Sequence, residues 1–237
     1  MDTNEKSEIC HSQTWQKVTT AVPAEFHSHL EEYAEWAFDR TLFAIFGTLE
    51  KRDPIAAGHS IRVRRYCLLV AEQMSLSQID CKILAYSALL HDLGKIGIPE
   101  SILWKPTELR PQERDLFEKH AQWTYELLER LPFPSDFADV PFIASCHHEK
   151  LDGSGYYRGL KGEQIPPLAR ILIVAHEFDD LTSAKHSHDA MSIARAKTAL
   201  LDARQSFLDA EIVDIFVAIP NDELKEILET GPNFVLS

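Results

Sequence analysis

Residues 78–100 read QIDCKILAYSALLHDLGKIGIPE, and this stretch decides the fold class. Ser77 precedes it as a candidate N-cap, and Ile79, Ile83, Tyr86 and Leu90 recur at helical spacing. The pattern predicts an amphipathic helix that stops where Gly94, Gly97 and Pro99 interrupt it. At its end stand an imidazole and a carboxylate, His91 and Asp92, with Lys95 three positions further on. Nitrogen and oxygen donors side by side suit a divalent metal, and an adjacent ammonium can neutralise a phosphate. A lone His-Asp pair is a weak signal, because such a pair more often closes a helix end by hydrogen bonding.

On either side the chain keeps a helical period. Phe26, Leu30, Tyr33, Ala37, Leu42, Phe43 and Phe46 predict a helix from about Ala24 to Leu49, and His59 opens another with Ile61, Tyr66, Leu69 and Val70. Pro111 begins QERDLFEKHAQWTYELLERL, Pro166-Pro167 begin LARILIVAHEFDDLTSA, and shorter helices are expected near 189–204, 209–219 and 222–229. Residues 151–167, LDGSGYYRGLKGEQIPP, hold four of the nine glycines and must form a loop. No alternating strand pattern or internal repeat is evident. The expected architecture is an all-α helical bundle with one core over residues 51–237, preceded at 1–50 by a leader and a helical extension.

The chain has 237 residues and a net charge of −13, with 45% hydrophobic residues, enough for a sizeable core. The acidic balance argues against polymeric nucleic acid or an anionic membrane as partner. Cys10, Cys67, Cys81 and Cys146 are scattered, without Cys-x-x-Cys spacing. The N-terminus MDTNEKSEIC is polar, and apolar runs such as ILIVA at 171–175 are too short to span a bilayer. A reduced, cytoplasmic protein is expected.

The eleven histidines carry more information. His59 and His120 fall in candidate helices, His147-His148 end one, and His176 follows ILIVA. Neighbouring helical residues diverge by roughly 100°. His147 and His148 therefore suit two metal ions better than one.

HDLGKIGIPE at 91–100, KPTEL at 105–109, EKH at 118–120 and HHEKLDGSGYYRGLKGEQIPPLARILIVAHEFDDLTS at 147–183 together resemble the HD-GYP family, a branch of the HD phosphohydrolase superfamily. The resemblance runs from about Arg52 to about Ala218 and includes QSFLDAEIVDIF at 205–216. It implies an all-helical domain with a bimetallic, sometimes trimetallic, centre of iron or manganese. It also implies hydrolysis of cyclic di-GMP to the linear dinucleotide pGpG, and often on to GMP. By position, His59, His91, Asp92, His120, His147 and His148 match the family's metal ligands. Asp92 would bridge the metals, Lys95 would contact the scissile phosphate, and Gly153 to Tyr156 would border the substrate cavity. Two metals about 3.5–4 Å apart can activate a bridging water and stabilise an in-line phosphoryl transition state.

Four departures are expected to matter. The family's last ligand is Asp, and here it is His176, with Asp179 and Asp180 three and four residues on, placed to orient its other nitrogen. The exchange predicts weaker Mn or Mg retention and a relative preference for Fe, Ni or Zn. Trimetallic members have Glu where this chain has Ile55, so two divalent ions are expected, Fe or Mn before Ni or Zn. Gly-Tyr-Pro becomes Gly155-Tyr156-Tyr157, freeing the backbone angle that proline fixes; the tyrosines could stack on guanine or simply close the loop. Lys185 and His188 stand at the two phosphate-contacting positions where the family has an Arg and an Arg or Lys. Thr124 replaces a common Gly, a change expected to concern packing, and Trp104 lies either at the cavity mouth or in the core.

The expected function is a metal-dependent cyclic di-GMP phosphodiesterase; the alternatives are a degenerate module that binds the dinucleotide without turnover and a phosphohydrolase of another nucleotide. The apolar face of the N-terminal helix fits either homodimerisation or packing as an extension.

Overall fold

A computed structural model describes residues 27–183, 190–204 and 206–229. Among the described residues there are ten α-helices and no strand, as the periodicity predicts. They are α1 (His27–Arg52), α2 (Pro54–Gln73), α3 (Gln78–Leu90), α4 (Glu100–Leu103), α5 (Pro111–Leu128), α6 (Val140–Ala144), α7 (Pro167–Thr182), α8 (Ile193–Ala203), α9 (Ala210–Ala218) and α10 (Asn221–Glu229). The chain divides into two compact units within α1, between Ile45 and Phe46. The first unit shows exposed Tyr33 and Trp36, with the Arg40 guanidinium 5.9 Å from the Trp36 ring centroid.

In the second unit, α2 packs on α3 and α7, and α3 also meets α6 and α7. Helix α3 buries its second half, after an opening that carries Gln78, Asp80 and Lys82. Every residue from Ile83 to Leu90 is buried, whereas Ile79 is exposed. Of the expected stripe, Ile83, Tyr86 and Leu90 are thus buried and Ile79 is not, and neighbours on several sides make this the central helix. Ser77 caps it as expected, its Oγ accepting from the Asp80 N–H at 3.1 Å.

Helix α2 starts at Pro54, five residues before His59, where the sequence placed its opening. The Asp53 side chain accepts from the Ala56 N–H at 2.9 Å, and proline supplies a preset first turn. His59 thus sits within a formed helix and is held rigidly. Tyr66 of α2, Phe178 of α7 and Phe216 of α9 lock these helices together, with centroid separations of 4.8–6.0 Å. This aromatic cluster fixes the two helices that present His59 and His176.

Candidate metal centre

At the end of α3 the chain tightens into a 3-10 turn over Leu93–Gly97, which packs against α5. Only glycine fits at position 94: a Cβ there would lie 2.0 Å from the His120 carbonyl oxygen. Thr124 of α5 accepts from the Gly94 N–H at 2.9 Å and donates to the His91 carbonyl at 2.8 Å. The residue read from sequence as a packing change is a polar pin between the His-Asp turn and the helix carrying His120.

The chain brings together all seven residues that the sequence singled out as ligands. His59, His91 and His176 form one group, and His120, His147 and His148 a second; within each, one donor atom per residue lies within 4.8 Å of the others. A third such group, His91, Asp92 and His147, overlaps both. Asp92 lies between them, with Oδ2 3.4 Å from His91 Nε2, and Oδ1 3.5 Å from His120 Nε2 and 3.7 Å from His147 Nε2. The His176 ring is 4.9 Å from His59 and 4.8 Å from His148, centroid to centroid.

Backbone carbonyls determine the tautomers. Nδ1 of His91, His120 and His147 donates to Ala88, Phe117 and Ala144 at 2.8, 2.7 and 2.8 Å. A carbonyl can only accept, so each Nδ1 carries the hydrogen, and Nε2 is the ring atom left for the centre. His59 does the same, donating Nδ1–H to Asp179 Oδ2 at 2.7 Å. Two buried atoms at the centre, His91 Nε2 and Asp92 Oδ1, have no hydrogen-bond partner among the described residues. Inward Nε2 atoms, an orphaned carboxylate oxygen and a mixed N/O donor set fit divalent metal.

The electrostatics match. Burial lowers His120 to about 4, with the Lys95 charge adding to the effect against Asp92. His147, His148 and His176 fall well below the ordinary value, through burial first and neighbouring imidazoles second. They are neutral at pH 7, the form that binds metal. Burial pushes the Asp92 carboxyl up, but the Lys95 ammonium and the imidazoles outweigh it and hold it well below the carboxylate range. Lys95 Nζ is 2.6 Å from Asp92 Oδ2; burial works against its charge, and the carboxylate more than restores it.

The sequence assigned Asp179 to the wrong histidine. Its carboxylate receives His59 rather than His176, and Arg62 clamps it through Nε at 2.7 Å and Nη2 at 2.8 Å. Burial raises Asp179, yet His59 and Arg62 together take it down to about 2. Asp180 lies 3.9 Å from His59 Nδ1 and lines the cavity.

A cavity of about 870 Å³ opens onto this centre, with His59, Lys95, Trp104, Phe117, Tyr156 and Asp180 in its wall. Ile55, at the position of the family's third-metal glutamate, lies in the wall and is exposed. A second cavity of about 350 Å³, also walled by Tyr156, reaches His147 and His148. Tyr156 stacks on His148, with centroids 4.5 Å apart and planes 27° apart. Tyr157 turns away from both cavities, and the Arg158 guanidinium lies 4.2 Å from its centroid. The peptide between the two tyrosines is cis.

Gly153, expected to border the cavity, lines neither. It makes a turn at φ 84° facing Lys161. Gly155 instead makes the close approach: a Cβ there would lie 2.5 Å from the His148 carbonyl and the Glu149 Cα. Glu149, which the sequence reading passed over, anchors the loop by accepting from the N–H groups of Arg158 and Leu160 at 2.8 and 2.9 Å. An acidic residue directly after paired histidines and before a glycine-rich loop is the signal that could have found it. Lys185 and His188 lie outside the described residues.

The chain is similar to known phosphodiesterases. It is 36% identical over 197 residues to a 3'3'-cGAMP-specific phosphodiesterase of Vibrio cholerae, covering 83% of this chain and 41% of the relative. It is 39% identical over 175 residues to the cyclic di-GMP phosphodiesterase response regulator RpfG of Xanthomonas campestris, covering 73% and 46%. The chain thus spans less than half the length of these curated relatives. Among solved structures, the fold matches Bd1817, an HDG"Y"P protein of Bdellovibrio bacteriovorus, with a TM-score of 0.56 and 22% identity over 70% of this chain and 51% of that one. It also matches the HD domain of the L. monocytogenes phosphodiesterase PgpH, with a TM-score of 0.54 and 14% identity over 78% and 96%. These relatives agree with the HD-GYP resemblance read from the motifs. Residues 47–212 match the family described as HD domain. Carrying that match over more than half its length, together with the gathered histidines and Asp92, this chain belongs to the HD domain family.

Proposed function

We propose that this chain is a metal-dependent phosphodiesterase that hydrolyses cyclic di-GMP to linear pGpG and on to GMP. The observation that carries the reading is the donor cluster itself: six imidazoles and Asp92, with His91 Nε2 and Asp92 Oδ1 unpartnered, at the base of a cavity large enough for a dinucleotide. His59, His91 and His176 would hold one divalent ion and His120, His147 and His148 the other, with Asp92 between. Two ions so held would supply Lewis acidity, lowering the pKa of water and neutralising phosphate charge. Lys95, fixed against Asp92, would place its ammonium where charge develops on the phosphate oxygens. Arg62 and Asp179 keep the His59 ring oriented. Tyr156 covers the His148 face and limits water access from that side. Lys185 and His188 would contribute the remaining phosphate contacts.

Iron or manganese is the proposed metal, with nickel or zinc next. Residues 51–237 would form the catalytic domain and 1–50 a leader and helical extension, pairing two copies through the face that exposes Tyr33 and Trp36. No described helix is long and apolar enough to cross a membrane, which supports a cytoplasmic setting. The 3'3'-cGAMP relative supports a second reading, in which the mixed dinucleotide is the substrate. Turnover of cyclic di-GMP, 3'3'-cGAMP and pGpG after loading with Fe(II) or Mn(II) separates the two, with Asp92→Ala as the inactive control. Tight binding of cyclic di-GMP without turnover under any metal would leave only a receptor role.

A further inference from the structure

Arg114 and Glu118 stand one turn apart on α5, and both line the larger and the smaller cavity. At this spacing their Cβ atoms are about 5–6 Å apart, within reach of an ion pair. Yet among the described residues neither takes an ion-pair or hydrogen-bond partner, whereas Glu113 of the same helix is engaged by Lys105 and Arg110. Two opposite charges thus face a ligand cavity uncommitted to each other. Tyr156, whose ring stacks on His148, lines the same two cavities with them.

From this juxtaposition we infer that Glu118 and Arg114 read the edge of a guanine and select guanine over adenine in the substrate. The inference rests on the proposed cyclic-dinucleotide reading and names the base that it recognises. Guanine offers N1–H and its 2-amino group as adjacent donors, which one carboxylate accepts side by side, and O6 and N7 as acceptors for a guanidinium. Adenine turns the N1 lone pair toward the same carboxylate, leaving the acid without a donor and facing repulsion. Trp104, partly exposed in the wall of the larger cavity, offers a face on which a base can stack.

The test measures kcat/KM of the metal-loaded full chain on cyclic di-GMP and cyclic di-AMP, with binding of both measured alongside. Wild type is expected to prefer the guanine substrate by about ten- to a hundredfold, the discrimination of one good bidentate pair. Glu118→Gln keeps the shape but exchanges an acceptor for an amide that complements adenine, so the preference should collapse toward unity. Arg114→Ala, at an exposed position that does not endanger folding, should lower the same ratio mainly through KM for cyclic di-GMP. An unchanged ratio in Glu118→Gln, or an equal loss on both substrates in Arg114→Ala, overturns base reading while hydrolysis stands. Neither binding nor turnover of any cyclic dinucleotide by wild type overturns the functional reading, and this inference with it.

Discussion

The Nε2 atoms of His120 and His147 face each other at 3.1 Å, while the Nδ1 of each ring donates to its own backbone carbonyl. Both rings are neutral at pH 7, so two lone pairs converge with no proton between them. That arrangement is repulsive in the bare protein and favourable around a cation. The carbonyls three residues earlier impose it, so the site is preorganised for metal by local backbone geometry.

Metal should therefore stabilise the fold. Because an ion binds the assembled cluster and not the unfolded chain, stabilisation follows RT ln(1 + [M]/Kd), about 2.7 kcal/mol at a hundredfold excess over Kd. Chelator-treated protein is expected to melt several degrees lower than protein with Mn(II), Fe(II) or Zn(II), and Asp92→Ala should reduce the difference. Thermal melts that do not respond to any divalent ion would refute the metal centre without reference to activity.

The chelated protein should also lose stability in acid. Unfolded, His120, His147, His148 and His176 take up protons near 6.5; folded, His120 does so only at about 4, and burial holds the others well below their ordinary value. Between those values the unfolded chain binds more protons, so stability falls as pH drops from about 6.5 toward 4. Asp92, held well below its ordinary value, adds a loss of the same sign at lower pH. Urea midpoints measured in chelator at pH 7 and pH 5 should differ, with the lower midpoint at pH 5. Equal midpoints would contradict burial of neutral imidazoles.

Thr124 supplies a separable prediction. Thr124→Val keeps the shape but leaves the Gly94 N–H and the His91 carbonyl unpaired in a buried setting, at a cost of about 1–3 kcal/mol. Thr124→Ser retains the hydroxyl and should fall between Val and wild type. Chemical denaturation reads both, and metal affinity should drop with Val because the turn carrying His91 and Asp92 loses its tie to α5. A neutral Thr124→Val would show that the pin has no energetic role.

What the sequence revealed and what it hid follow from physical range. The helices were legible because apolar spacing is local, and the ligand histidines because they sit in recognisable motifs. The start of α2 was missed because Asp53-Pro54 was not weighed as a cap and first-turn pair, although that signal is also local. The partner of Asp179 was not legible. On its own helix it stands three residues from His176, but the fold brings it His59 from 120 positions away. The same holds for Glu149, whose partners are backbone N–H groups of a loop that carries no side-chain signature. The burial of the second half of α3 on all sides was likewise hidden, because an apolar stripe cannot report how many neighbours surround it.

His176 sets the last prediction. Its ring lies 4.8–5.3 Å from those of His59, His91 and His148, centroid to centroid, at the position where the HD-GYP resemblance leads one to expect an Asp. With three imidazoles in the group His59, His91 and His176, that side of the centre is rich in nitrogen. Imidazole favours Zn, Fe and Ni, whereas carboxylate favours Mn and Mg. His176→Asp adds a negative charge and a hard oxygen to the same place. Protein purified from identical metal-supplemented medium should then shift its bound metal toward manganese, as read by elemental analysis per chain. The thermal response to Mn(II) should increase relative to that to Zn(II). If metal content and both thermal responses are the same in the two proteins, His176 does not ligate, and the site would be closed by Asp92 with the remaining five imidazoles.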